Sequence, residues 1–557
     1  MSTALDDRTL APGERPGAPA GGARAGAPAG GLPALRRRTR RTWDGVEGFA
    51  ARHRLAVVAG VQLACAAAVL LLSRLYFAGL SMRLDEAQSL GQTDHRYSEV
   101  LVTVAQDVHV PGYHLLLRTW RLLYGTDLET ARALSLIFFL ASIPLLYLVA
   151  RRALDTRWSL FAVVVFSLSP FMNWYGNEAR MYTMLVLVTL ASQHFFLKVL
   201  DPATTGRWGA WAGYAATAVV GAYTHYFFLF VLFAQGAFFL VARLAPSGRS
   251  WRGVGRMAGT AALVCLALVP WLLYFTASGA ASDTRPQLPS PSSVDFSNVY
   301  SQFLFGFQSD AANTVLVATW PLLALAGLAS VRVGVRMSRA TAYLLVAAFG
   351  PVLMAFAVSH LITPFFLSRY MIAALPALLV VVAAFLRMLS KRVGVALAAV
   401  LLVATVVGTG VQATSAATPV KEDYRGAAEL LEAKVTPSDL VVVSSPFTIW
   451  PFERYYDGAA RVVTLPEWDR RQEGGLPAFD EAALPGQVDE LVAGHQRVYL
   501  LLSYDQGYED AVEQYFRGHY QQVYAQEVSP GMQLVGFRTG YSQNSAVEDQ
   551  QRTAPRR

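Results

Sequence analysis

GYHLLLRTWRLLY, residues 112–124, is apolar enough to belong in a membrane and too short to cross one. As a helix, these residues reach about 20 Å, whereas the hydrocarbon core of a bilayer is about 30 Å thick. The stretch is also two-sided. Leu116, Trp120 and Leu123 are apolar, while Arg118 and Arg121, three positions apart, form another face. A helix of this kind lies along the membrane surface. That assignment fixes the register of every crossing on either side.

Apolar runs long enough to span a bilayer recur from Leu55 to Ala413. With 54% hydrophobic and 15% charged residues among 557, the chain is too apolar for a soluble globular protein. The first run follows some fifty polar residues and lacks a small-residue cleavage site, so it reads as a retained first span. Arg36, Arg37, Arg38, Arg40 and Arg41 precede it and place the N-terminus in the cytoplasm. The other basic clusters include Arg151 with Arg152, Arg249 with Arg252, and Lys391 with Arg392. They fall in alternate loops if eleven spans run 55–78, 130–150, 157–173, 181–199, 208–224, 226–243, 256–277, 311–331, 340–361, 369–388 and 393–413. The net charge of +8 is therefore membrane topology and excludes a nucleic-acid partner.

The fold class is a polytopic α-helical membrane protein with a small C-terminal α/β domain. Residues 1–42 form a disordered cytoplasmic tail and 43–415 the membrane domain, with 79–129 as a large first external loop carrying surface helices. Residues 416–539 form the extracytoplasmic α/β domain and 540–557 a second disordered tail. In that domain, helical stretches (424–433, 488–494, 508–516) alternate with β-rich runs (440–443, 461–465, 497–502, 532–537). The chain shows no phosphate-binding glycine loop, metal-ligand spacing or internal repeat.

Under this topology the unusual polar residues gather at one membrane face. Asp85 and Glu86 follow the first span; adjacent acids there can supply a general base or hold a divalent cation such as Mg or Mn. DVHVPGYH, 107–114, offers Asp107 and His109 beside a Pro-Gly turn. NWYGNEARMY, 173–182, brings Glu178, Arg180 and Tyr182 to the start of a span, where charge must be paired or hydrated. His225 and Arg369 stand at later turns on the same side. Singly, each also fits a solvated loop acid, a snorkelling anchor or an interfacial ion pair.

Taken in order, LDEAQSL, DVHVPGYHLLLRTW, SPFMNWYGNEARMY, THYFFLF and FFLSRYMIAALP resemble the membrane glycosyltransferases of the GT-C class, in their family 39-like or protein-mannosyltransferase-like branch. The resemblance covers about 55–390. It implies a polyprenyl-phosphate-linked sugar donor, mannose or a similar hexose or pentose, and transfer with inversion at the outer face of the cell membrane. The acceptor would be a glycan, glycolipid or protein. The family's acidic residue in the first external loop corresponds to Asp85. Val110 departs from the usual His-Pro-Pro, although His109 and Pro111 remain.

For that chemistry Asp85 is the base, with Glu86 supporting it or holding a cation. Arg180, His225 and Arg369 take the donor phosphate. Asp107, His109, Glu178 and Tyr182 position the substrates, and Arg118 and Arg121 border the lipid groove. A transporter or flippase for lipid-linked sugars and a non-catalytic scaffold for cell-wall polymers are the alternatives. A transporter would place its charges near the bilayer midplane, often within inverted repeats.

Overall fold

The computed structural model describes residues 53–107, 109–244, 251, 253–277, 289–308, 337–414, 422–468 and 477–542. Among them, seven helices are long and apolar enough to cross a bilayer: Arg54–Phe77, Leu128–Ala150, Tyr182–Leu200, Val254–Ala277, Arg339–Leu361, Ser368–Met388 and Lys391–Thr414. Thr156–Leu168 and Pro170–Gly176, bent by 56° at their junction, make an eighth if taken as one span. The sequence predicts a single span there. Proline lacks an N–H and its ring crowds the preceding turn, so the helix stops at Leu168 and restarts. The Ser169 hydroxyl caps the restart, accepting from the Met172 N–H at 3.3 Å.

Helices Trp208–Thr224 and Phe228–Leu244, 17 residues each, occupy two further predicted spans and are shorter than the seven. The predicted span 311–331 and the tail 1–42 lie outside the described residues. The count of eleven is thus an expectation that the helices match only in part. Of the seven long helices, Tyr182–Leu200 and Ser368–Met388 are the most enclosed and Arg54–Phe77 the least. Arg180, Tyr182 and Arg369 therefore stand at the ends of the two most central columns.

Three short helices follow the first span. We call them α1 (Leu84–Gln92), α2 (Tyr97–Gln106) and α3 (Gly112–Tyr124). α3 occupies the residues expected of the surface helix, with Leu122 and Leu123 exposed and Tyr113 and Leu117 buried. The sequence reading treated LDEAQSL as loop; it is α1, entered through an extended Arg83 whose backbone N–H is accepted by Glu86 at 3.1 Å.

The C-terminal region is a five-stranded sheet: β1 (Asp439–Ser444), β2 (Arg461–Leu465), β3 (Arg497–Ser503), β4 (Tyr520–Ser529) and β5 (Met532–Ser542), in the order β2-β1-β3-β5-β4. β1, β2 and β3 are parallel; β4 and β5 form an antiparallel hairpin on the edge. β1 is buried on both faces, with Leu440 and Val442 in one core and Val441 and Val443 in the other, as the alternation of side chains requires. β4 was missed because its run YQQVYAQEVS lies on an exposed edge and carries little apolar alternation. β5 runs to Ser542, past the predicted start of the tail at 540.

Candidate functional site

Neighbours on a helix point about 100° apart, and at the start of α1 this separates two carboxylates that sit side by side in sequence. Glu86 turns inward and is fully buried. Arg132, inside the second long helix, grips both its oxygens at 2.8 and 2.7 Å, and the Ala179 N–H donates to it at 3.0 Å. The same guanidinium holds the Leu80 and Ser81 carbonyls, each at 3.0 Å. Glu86 is therefore a structural anchor, which corrects its assignment as a second catalytic acid. Arg132 takes both oxygens of Glu86, whereas Oδ2 of Asp85 lies beside Arg369, so the two acids serve different partners. Among the described residues no three His, Cys, Asp or Glu side chains converge to hold a metal.

Asp85 faces the other way. Its Oδ2 lies 3.6 Å from the Arg369 guanidinium and has no hydrogen-bond partner. Burial alone would raise its pKa; the cations of Arg369, Arg180 and Arg83 outweigh it and hold the carboxyl well below the usual carboxylate range. Arg180 donates to the Asp85 carbonyl at 3.2 Å and to the Ser89 hydroxyl at 3.0 Å, both on α1. The Nε–H groups of Arg180 and Arg369 and the hydroxyl of Tyr182 are buried and have no hydrogen-bond partner either.

Arg180 is oriented by a chain of contacts. Its other terminal nitrogen meets His109 Nε2 at 2.9 Å. A guanidinium can only donate, so Nε2 accepts and the imidazole proton sits on Nδ1, 2.8 Å from the Asp107 carbonyl and 3.1 Å from Asp107 Oδ2. Gln88 and Gln92 of α1 donate to the same Asp107 oxygen at 2.8 and 2.6 Å. Burial opposes its charge, but His109, Arg180 and these bonds hold the Asp107 pKa down at about 2. Asp107 and His109, expected to position the substrates, here contact Arg180 and α1.

Arg83 bridges two acids, Glu178 at 3.3 Å and Glu422 of the C-terminal domain at 3.4 Å, and its guanidinium lies 5.6 Å from the Trp174 ring. Glu178, expected to position a substrate, is fully buried and pairs with Arg83. The C-terminal domain grips the same segment elsewhere. The Met82 N–H donates to the Tyr455 hydroxyl at 2.9 Å, and Arg425 donates to the Gly79 carbonyl at 3.0 Å. Between the two parts opens a cavity of about 350 Å³ lined by Arg83, Trp174, Tyr175, Arg369 and Glu422, among others.

His225 caps the end of Trp208–Thr224, where its Nδ1 accepts the Phe227 N–H at 3.2 Å. Its ring packs against Tyr370 and Phe227, with centroids at 5.5 and 5.2 Å, and Tyr182 is 6.3 Å away. Burial, with His109, Arg180 and Arg369 nearby, lowers its pKa to about 3, so it offers a neutral N–H and no charge. Arg118 and Arg121, expected at the lipid groove, reach the end of α1. Arg121 is buried and donates to the Leu90 carbonyl at 2.9 Å, the Thr93 hydroxyl at 2.8 Å and Asp94 at 2.6 Å, while Arg118 donates to the Thr93 carbonyl at 3.3 Å. Both close the C-terminal end of α1, where free carbonyls and the helix dipole favour cations.

Residues 108–275 match the family model described as dolichyl-phosphate-mannose-protein mannosyltransferase. ArnT from Cupriavidus metallidurans superposes in its apo state with a TM-score of 0.50 at 15% identity, over 88% of this chain and 99% of that one. Its undecaprenyl phosphate-bound structure gives the same TM-score and identity over 85% and 97%. This chain has the GT-C fold. An oligosaccharyltransferase from Archaeoglobus fulgidus is more distant, with a TM-score of 0.45 at 13% identity over 86% of this chain and 73% of that one. No curated protein matches the chain. Of the motifs quoted from the sequence, SPFMNWYGNEARMY and THYFFLF fall within the matched residues, whereas LDEAQSL and FFLSRYMIAALP lie outside them.

The sequence reading missed Arg83, Arg132 and Glu422 as parts of the site. Arg132 alone carried a signal: a guanidinium inside an apolar span, in TARALSLIFF, must find an acid. Glu422 had none, because its partner is 339 residues away.

Proposed function

We propose that this protein is a membrane glycosyltransferase that moves a sugar, mannose or a related hexose or pentose, from a polyprenyl-phosphate donor to an acceptor hydroxyl. The acceptor is a glycan, glycolipid or protein, and transfer takes place at the extracytoplasmic face of the cell membrane. One observation carries this reading: Asp85 Oδ2 and the Nε–H groups of Arg180 and Arg369, all buried, lack hydrogen-bond partners, while Arg369 pairs with the Asp85 carboxylate and Arg180 donates to the Asp85 backbone carbonyl. Buried polar atoms left open in this way mark a place for a ligand. Two guanidiniums and one carboxylate suit a phosphate and a hydroxyl. The matched family model and the undecaprenyl phosphate in the ArnT structure support the same donor chemistry.

The sugar enters already bonded to a good leaving group. The acceptor oxygen attacks the anomeric carbon from the face opposite the phosphate, its proton passes to Asp85, and the carbon–oxygen bond to the phosphate breaks with inversion. Arg369 and Arg180 hold the departing polyprenyl phosphate. The Arg369 guanidinium, paired with Asp85, keeps it a weak base. A donor phosphate competing for that guanidinium would release Asp85 to accept a proton at the moment a hydroxyl is present.

The test is transfer from radiolabelled polyprenyl-phosphate sugar by purified protein in detergent. Asp85→Asn is expected to lower turnover by roughly a hundredfold or more, with its abundance in the membrane unchanged. Near-normal turnover in that variant would remove the base assignment. Label that crosses vesicles without joining an acceptor would instead select a flippase.

A further inference from the structure

β3 connects two different surroundings. Its Ser503 end leads into Tyr504, which lies within electrostatic reach of Glu422, Arg83 and Asp85. At its Arg497 end, about 20 Å away along the strand, a second cavity of about 280 Å³ is lined by Lys434, Arg497, Tyr499, Val523, Tyr524 and Arg538.

The floor of this cavity is a cross-strand row, Tyr499 on β3, Gly536 on β5 and Tyr524 on β4. A Cβ at position 536 would come within 2.9 Å of the Tyr499 ring and 3.0 Å of Tyr524. Glycine there leaves the depression open and lets the two rings approach edge to face, with centroids 6.4 Å apart.

Cations stand around it. The Lys434 ammonium lies 4.5 Å from the Tyr524 ring, and the Arg497 guanidinium 5.8 Å from that of Tyr499. Arg538 is directly opposite Arg497 across the β3–β5 ladder, an arrangement that opposes pairing of the strands. Asp439 neutralises Arg497 through contacts of 2.7 and 3.0 Å. Lys434 and Arg538, both exposed, leave the cavity with surplus positive charge.

We infer that this cavity binds an anionic saccharide unit, with the sugar ring against Tyr499 and Tyr524 and its phosphate or carboxylate on Lys434 and Arg538. Its volume is just below the range of about 300–1,000 Å³ typical of drug-sized ligands, which suits a single sugar residue. Tyrosine supplies a rigid flat surface with a polar edge, and the two long cations supply charge-assisted hydrogen bonds. The site lies outside the Asp85 pocket, and the inference does not depend on the protein's being a transferase.

The experiment is calorimetric titration of full-length protein in detergent with glucose 6-phosphate and glucuronate, against glucose and inorganic phosphate. Both anionic sugars are expected to bind roughly tenfold tighter than either control. The exposed double variant Lys434→Ala/Arg538→Ala should lose roughly tenfold or more in affinity at unchanged Tm, while Arg369→Ala keeps that binding. Glucose binding as tightly as its phosphate overturns the charge requirement, and inorganic phosphate binding as tightly overturns the saccharide requirement. Affinity unaffected by the double variant, or lost in Arg369→Ala, places the sugar elsewhere and overturns the site.

Discussion

Asp85 and Glu86 are consecutive residues on one helix turn, and they occupy opposite kinds of environment. Around Glu86 both oxygens are bonded to Arg132, and the backbone N–H groups of Arg83 and Ala179 donate as well. Around Asp85 one oxygen has only a 3.6 Å ion pair with Arg369, and the neighbouring guanidiniums keep unpartnered N–H groups. Chemical type does not distinguish the two acids. A saturated carboxylate holds structure together, whereas an unsaturated one beside unspent donors awaits a ligand.

The largest effect that could break this contrast is on folding. Glu86→Gln leaves Arg132 buried without its counter-charge and should cost about 3–5 kcal/mol of stability, seen as a lower Tm and lower yield. Asp85→Asn should change Tm far less. If Glu86→Gln folded normally and only lost turnover, the anchor role would fail.

A second, smaller effect comes from acid. His114 and His225 both have pKa values lowered to about 3, chiefly by burial, with Arg180 adding to it. Ordinary histidine titrates near 6.5, so between these values the unfolded chain binds more protons and stability rises with pH. Stability should therefore fall as pH drops from 7 to 5, by up to about 2 kcal/mol per histidine, read as a lower Tm in detergent. A flat profile would mean that these rings take up protons in the folded state, beside cations that should repel them.

The smallest effect sharpens the role of the Asp107–His109–Arg180 chain. His109→Gln should lower kcat by roughly tenfold, with donor KM little changed, because Arg180 loses its orientation and not its charge. A large rise in donor KM alone would make His109 a substrate contact after all.

Much of this was legible in the sequence, for identifiable reasons. The α3 stretch declared its two-sidedness, and the polar motifs declared themselves because charge near lipid is costly. The reading failed wherever function turned on angle. Sequence adjacency suggested that Asp85 and Glu86 act together, and only the 100° step of α1 separates them. Arg118 and Arg121 looked like lipid-facing charges, yet they serve the end of α1. Glu422 was beyond reach because no local pattern tells a loop acid that its partner is Arg83.

The grip of the C-terminal domain on Gly79–Arg83 bears on biosynthesis. Asp85 leaves the ribosome early, but Arg83 lacks one counter-charge until Glu422 is made, and Met82 lacks its bond until Tyr455 follows. The half-made chain thus carries its acid and its arginines with one wall of the pocket missing until Glu422 has followed Arg369.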